Sequence, residues 1–192
     1  MKIVLASNNK HKIEEYMNII KNYEILTLND IGFHEEIIED GKDFYENAKI
    51  KAQTVYEYLK KKGLNYIVLG EDSGLCVEAL NGEPGIYSAR YSGIHGDDRA
   101  NRSKLLSKLK ELDRSAYFMC VIALIKNGKV SYYTGKTYGT ITKEELGDTS
   151  FGYDCIFYST ELKKTFGEAS KEEKNSVSHR AKAIEEMVKD LW

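Results

Sequence analysis

The sequence predicts an α/β protein in which a mixed β-sheet carries helices packed on it. Three observations lead there. Through the first half of the chain, short apolar runs alternate with segments whose apolar residues recur at helical spacing. Further on, Asn127-Gly128 sits between two apolar runs, the pattern of a two-residue hairpin. Polar clusters also fall where predicted strands end, which is where open α/β sheets place their ligands.

Residues 2–6 form an apolar, β-prone run, and Ser7-Asn8-Asn9-Lys10-His11-Lys12 interrupts it before Ile13, Tyr16, Met17 and Ile20 appear at helical spacing. The pattern is strand, polar loop, helix. A second strand is expected over residues 23–28. An acidic stretch at 35–40 then leads into a helix from about Asp43, with Ala48, Ala52, Val55 and Leu59 on one face and Gly63 as its stop.

Residues 66–69 read as a buried strand ending at Gly70-Glu71-Asp72-Ser73-Gly74, and residues 75–80 read as a separate strand before the Asn81-Gly82 turn. Leu105, Leu106, Leu109 and Leu112 mark a helix after Asp97-Asp98. Residues 116–125 and 130–134 are the two arms of the hairpin. Phe151-Gly152-Tyr153-Asp154 precedes a short strand at 156–158. A helix start is expected within residues 174–180, capped by Ser176 or Ser178, and the helix that follows carries Ile184, Met187, Val188 and Leu191 on its apolar face.

A chain of 192 residues with 42% hydrophobic and 30% charged residues predicts one globular domain over 1–192. Lys and Arg number 28 against 30 Asp and Glu, for a net charge of −2 and a pI near 6.1, which argues against a nucleic-acid partner. The longest apolar run, at 116–125, is half the roughly 20 residues that cross a bilayer, so no membrane span is expected. Cys76, Cys120 and Cys155 are scattered and odd in number. They read as reduced, buried thiols, and the expected location is cytoplasmic.

Several motifs can be struck out. Gly135-Lys136-Thr137 lacks the earlier glycine of a P-loop, Ser73 has Glu71 where a nucleophile elbow needs glycine, and no dinucleotide-binding fingerprint is present.

The polar clusters remain. Ser7 to Lys12 offers backbone N–H groups and lysines at a helix start, suited either to phosphate or simply to capping. Glu71 and Asp72 are placed to hold a divalent cation or polarise a water, or else are solvated turn residues. The stretch Glu35 to Asp40 offers a further ligand or a solvated loop. Phe151 to Asp154 suits stacking on a base, although aromatics before a strand also serve a core. Lys174, His179 and Arg180 gather positive charge near a helix start, which calls for an anion.

Read together, four blocks resemble the inosine triphosphate pyrophosphatase family: S-N-N-K-H-K at 7–12, E-D-S-G-L-C-V-E-A-L-N-G-E-P-G-I-Y-S-A-R-Y-S-G at 71–93, F-G-Y-D at 151–154 and E-K-N-S-V-S-H-R at 173–180. The resemblance implies an elongated α/β fold with two lobes around a nucleotide cleft, and a homodimer. It also implies Mg²⁺-dependent cleavage of ITP, dITP and XTP to the monophosphate and pyrophosphate, which keeps these bases out of DNA and RNA.

By the same resemblance, Ser7, Asn8, Asn9, Lys10, His11 and Lys12 form the triphosphate-binding loop. Asp72 is the catalytic proton acceptor and a metal ligand, Glu39 the second metal ligand, and Ser73 a substrate contact. Phe151, Gly152, Tyr153, Asp154, Lys174, His179 and Arg180 are the remaining nucleotide contacts; selecting a 6-keto purine over adenine also needs a donor aimed at the 6-position, for which His179 and Arg180 are the candidates. Three positions depart from the family pattern: Glu71 replaces an Asp, Cys155 a Pro and Ala181 a frequent Gly. The competing readings are a nucleotide sensor that does not hydrolyse and a Maf-type pyrophosphatase for modified pyrimidine triphosphates. F-G-Y-D and S-H-R argue against the second.

Overall fold

The computed structural model describes residues 2–148 and 151–191. Its elements run β1 (Lys2–Leu5), α1 (Lys10–Ile19), β2 (Glu24–Leu26), α2 (Phe44–Lys61), β3 (Ile67–Val77), α3 (Asp98–Leu109), β4 (Ser115–Lys126), β5 (Lys129–Ile141), β6 (Phe157–Ser159), β7 (Lys164–Thr165), α4 (Lys171–Val177) and α5 (His179–Lys189). Three short 3₁₀ turns, at Glu78–Leu80, Gly85–Arg90 and Asp154–Ile156, complete the order. The strands form a seven-stranded sheet in the order β2-β1-β3-β4-β5-β6-β7. β1 is parallel to β2 and β3, whereas β6 is antiparallel to β5 and β7, so the sheet is mixed as expected.

Local sequence accounts for most boundaries. The Asn9 side chain caps α1 by accepting from the Lys12 N–H, Asp43 caps α2 through the Glu46 N–H, and Asp97 caps α3 through the Ala100 N–H. Gly63, at φ +71°, takes the left-handed conformation just past α2. Asn127 and Gly128, at φ +52° and +76°, make the tight turn between β4 and β5.

Several expectations change. The polar insert at 70–74 does not end a strand. Ile67–Val77 is a single strand, and Glu71 and Asp72 lie buried inside it because cationic side chains meet them there. Residues 78–80 turn in 3₁₀ form instead of extending a second strand. A helix start does fall within 174–180, since α5 begins at His179 directly after Ser178, but Ser176 caps none: it lies in α4, which begins earlier with a capping box between Ser170 and Glu173. Met17 and Leu112, two of the apolar residues that mark the expected helices, are 46% and 47% exposed; Leu112 lies beyond the end of α3. Among the described residues, no helix is long and apolar enough to cross a membrane.

Two compact units divide the chain, one of residues 1–72, 120–135 and 180–192, the other of 73–119 and 136–179. In the first, Tyr16 and Ile20 of α1 and Ile184, Met187 and Leu191 of α5 pack with Ile3, Leu5, Ile67, Leu69, Ile122 and Leu124 of the sheet. In the second, Leu105 and Leu109 of α3 join Leu75, Val77, Phe118, Phe157 and Phe166, with the Phe118 and Phe157 rings edge to face at 4.7 Å. All three cysteines are buried and free, as expected, and burial pushes the Cys155 thiol up to about 11.

Gly70 sets how closely β3 lies against α2. A Cβ there would sit 2.1 Å from the Ala48 carbonyl oxygen and 2.5 Å from the Ala52 nitrogen, so helix and strand touch backbone to backbone. Gly70→Ala forces them apart and is expected to lower unfolding free energy by on the order of 3 kcal/mol in urea titration. A variant as stable as the native chain contradicts this contact.

Candidate active site

In the first unit, the close contact at Gly70 brings the first half of α2 beside the buried carboxylates of β3. Asp72 Oδ2 accepts from Asn47 Nδ2 at 3.0 Å, and Asn47 Oδ1 accepts from the Gly41 N–H at 2.9 Å. One amide therefore fixes both Asp72 and the segment that carries Glu39. One turn along α2, the Lys51 ammonium lies 2.5 Å from Glu39 Oε2 and 3.7 Å from Asp72 Oδ1, and donates to the Glu71 carbonyl at 2.9 Å. Burial raises the Asp72 carboxyl above its ordinary value although Lys51 and Lys12 pull it down.

Glu71 faces a different set of partners. Arg180, at the start of α5, donates from Nε and Nη2 to the two Glu71 oxygens at 2.9 and 3.0 Å, and from Nη1 to Glu15 at 2.5 Å. Lys12, in the first turn of α1, lies 3.1 Å from Glu71 Oε1. Burial opposes the charge on both cations, yet Glu71 raises the pKa of each. Both Glu71 oxygens are thus engaged by Arg180, with Lys12 on one of them.

Of the loop at 7–12, Ser7 Oγ accepts from the Asn9 N–H and Asn9 caps α1, while the Asn8, Lys10 and His11 side chains are exposed at the helix start. Lys12 is the member drawn into the buried cluster. A carboxylate pair next to a helix N-terminus carrying Lys10 and Lys12 is equipped to hold phosphate oxygens together with a cation.

In the second unit, Phe151, Gly152, Tyr153 and Asp154 are gathered with Lys174. The Lys174 ammonium lies 2.6 Å from Asp154 Oδ2 and 5.7 Å from the Phe151 ring centroid. Tyr153 and Asp154 are buried, and Tyr153 donates from its hydroxyl to the Ser88 carbonyl at 2.9 Å. His179 is buried with its ring stacked 4.8 Å from Phe118. Ser73, half-buried, follows Asp72 directly in β3.

Sequence reasoning missed Asn47, Lys51 and Glu15. The signal for the first two was present: polar residues four apart on the face of α2 that also buries Phe44, Ala48, Ala52 and Val55. Glu15 carried no local signal, since its partner Arg180 is 165 residues away.

The fold and these clusters define an α/β protein of nucleotide-handling type, with buried carboxylates and cations in one unit and an aromatic, charged loop in the other. The chain belongs to the Ham1 family, whose model matches residues 3–190. It is 47% identical to the dITP/XTP pyrophosphatase of Clostridium perfringens, over 99% of this chain and 97% of that protein. The dITP/XTP pyrophosphatase of Leuconostoc mesenteroides is 45% identical, over 100% and 96%. Among solved structures, the Ham1 protein of Staphylococcus aureus matches with a TM-score of 0.88 at 41% identity, over 100% of this chain and 98% of that one. The Ham1 protein of Coxiella burnetii has the same TM-score at 38% identity, over the same shares.

Two predictions come from the buried charges. Glu71→Gln leaves Arg180 and Lys12 facing a neutral amide, with an expected loss of roughly 3 to 5 kcal/mol in chemical denaturation. Asp72 acts in the opposite direction. Its folded value is raised, so the folded state keeps this proton to higher pH than the unfolded chain, and stability falls as pH rises between the ordinary 3.8 and the folded value. Asp72→Asn removes that penalty. Its melting temperature at pH 7 should exceed that of the native chain, with the gap closing as pH drops toward 3.8; a variant that melts lower at pH 7 contradicts the balance drawn here.

Proposed function

We propose that this chain hydrolyses non-standard purine nucleoside triphosphates, ITP, dITP and XTP, to the nucleoside monophosphate and pyrophosphate, and so keeps these bases out of DNA and RNA. The observation that carries the proposal is Asp72: a buried carboxylate with a raised pKa, held by Asn47 and Lys51 and paired across Lys51 with Glu39. The full-length likeness to proteins named dITP/XTP pyrophosphatase supports the same chemistry.

In this reading, Asp72 takes a proton from the water that attacks phosphorus in line with departing pyrophosphate. Ser7 to Lys12 hold the triphosphate, whose charge of about −4 calls for cations. Asp72 and Glu39 hold Mg²⁺. Among the described residues no group of three or more His, Cys, Asp or Glu gathers as ligands, and a two-carboxylate set suits an ion that takes one or two carboxylates with phosphate oxygens and waters. When bound, the ion neutralises phosphate charge and acts as a Lewis acid.

In the second unit, Phe151 stacks on the purine, Ser73 contacts the substrate, and the Lys174 and Asp154 pair hydrogen-bonds the nucleoside. Arg180, engaged with Glu71 and Glu15, leaves the donor role toward the purine 6-oxygen to His179. A donor aimed there faces the 6-amino group of adenine unpaired, a mismatch that discriminates by roughly 10⁴-fold. The protein works as a homodimer of one-domain chains in the cytoplasm, without a nucleic-acid or membrane partner; its net charge of −2 is consistent with a small anionic substrate bound by local cations.

The test is pyrophosphate release from the purified protein with Mg²⁺, comparing ITP and XTP with ATP and GTP, alongside an EDTA control. Preferential, EDTA-sensitive release from ITP and XTP is expected, and Asp72→Asn should lower kcat by about three orders of magnitude or more. Equal turnover of all four substrates, or near-native turnover by Asp72→Asn, contradicts the assignment.

A further inference from the structure

The loop at 151–154 is held at its glycine by a helix that none of its own contacts with substrate would require. Gly152 has φ +56°, the left-handed region that glycine enters without strain. Its N–H donates to Asp98 Oδ2 at 2.7 Å and its carbonyl accepts from Arg102 Nη1 at 2.9 Å. Asp98 and Arg102 lie four apart, one turn, at the start of α3, so a single helix face grips both polar groups of one residue.

The grip is itself fixed. Arg102 is buried and points its Nε and Nη2 at the two Glu145 oxygens, at 2.8 and 3.3 Å. Its neighbour Asn101 donates to the Ala89 carbonyl and accepts from the Ser92 N–H, tying α3 to the segment whose Ser88 carbonyl receives the Tyr153 hydroxyl. Cys155, where the family pattern carries Pro, lacks the fixed φ of that residue. Gly152 adds a restraint on the loop beside those at Tyr153 and Asp154.

We propose that Asp98 and Arg102 are positioning residues for purine recognition. By clamping Gly152 they fix Phe151 on one side and Tyr153 and Asp154 on the other in the geometry that accepts the base. They do not touch substrate, and they act on the base and not on the triphosphate. This rests on the reading of residues 151–154 as the purine-binding loop. Selection by an unpaired donor works only where the site cannot relax around the wrong base, so the clamp also supports discrimination against adenine.

The experiment measures binding of IMP and of inorganic tripolyphosphate to the full chain by calorimetry in EDTA, with KM and kcat for ITP in a parallel assay. Asp98→Ala and Arg102→Met are each expected to raise the Kd for IMP and the KM for ITP on the order of tenfold, with kcat and tripolyphosphate affinity near native values. Asp98→Asn keeps an oxygen acceptor for the Gly152 N–H and should restore IMP binding. Arg102 is buried, so if Arg102→Met does not fold, the half-buried Asp98 variants decide alone. Native IMP affinity in Asp98→Ala, equal weakening toward both ligands, or failure of Asp98→Asn to restore binding overturns the clamp. If the native chain binds IMP but releases no pyrophosphate from ITP, the proposed hydrolysis fails while the clamp is still judged by IMP affinity. If it binds no IMP, the clamp has no base to position and is overturned.

Discussion

Two consecutive carboxylates buried in the middle of a core strand are the constraint to which much of the first unit answers. An unpaired charge in such a place costs several kcal/mol, and the chain meets that demand from three helices at once. Lys12 comes from α1, Asn47 and Lys51 from α2, and Arg180 from α5. The Arg180 and Glu71 pair joins residues 109 apart in sequence, so the carboxylate is satisfied only when α5 has docked on β3. The charge cluster thus selects the same helix packing as the apolar core of Tyr16, Ile184 and Met187, and the two reinforce one another.

Much of the architecture was legible because periodicity and turn chemistry are local. The apolar face of α2, its stop at Gly63 and the Asn127-Gly128 turn depend on residues a few positions apart, and each appears where expected. The failure at 70–74 has a physical origin. Two adjacent carboxylates next to glycine resemble a solvated turn unless their cations are known, and those cations lie distant in sequence. Lys12 and Arg180 were singled out for other reasons, as ligands for phosphate and base. Nothing in the local pattern paired them with Glu71.

The Glu71 departure from the family pattern takes on a different meaning in this setting. A longer side chain would be expected to disturb a metal if the carboxylate pointed at one. Here both oxygens point at Arg180 in a two-pronged pair, with Lys12 on one of them. The carboxylate at position 71 therefore serves the docking of α5 on β3. Glu15, on the far side of the guanidinium, adds a second carboxylate to the same cation and fixes its orientation from α1.

Asp72 and Glu71 are neighbours in one strand with opposite electrostatic circumstances, and the contrast is what makes the site chemically asymmetric. Glu71 is surrounded by cations that favour its charged form. Asp72 is held by one amide and by a lysine it shares with Glu39, and burial outweighs them. Under the proposed function the two carboxylates take two roles, Glu71 as structural anchor and Asp72 as base. The anchor contributes stability and the base forgoes some, because a carboxyl that must accept a proton from water is useful only if the protein does not fully stabilise its charge. The alternation of side chains along β3 makes this separation possible: adjacent residues point to opposite faces, so Glu71 meets α1 and α5 while Asp72 meets α2.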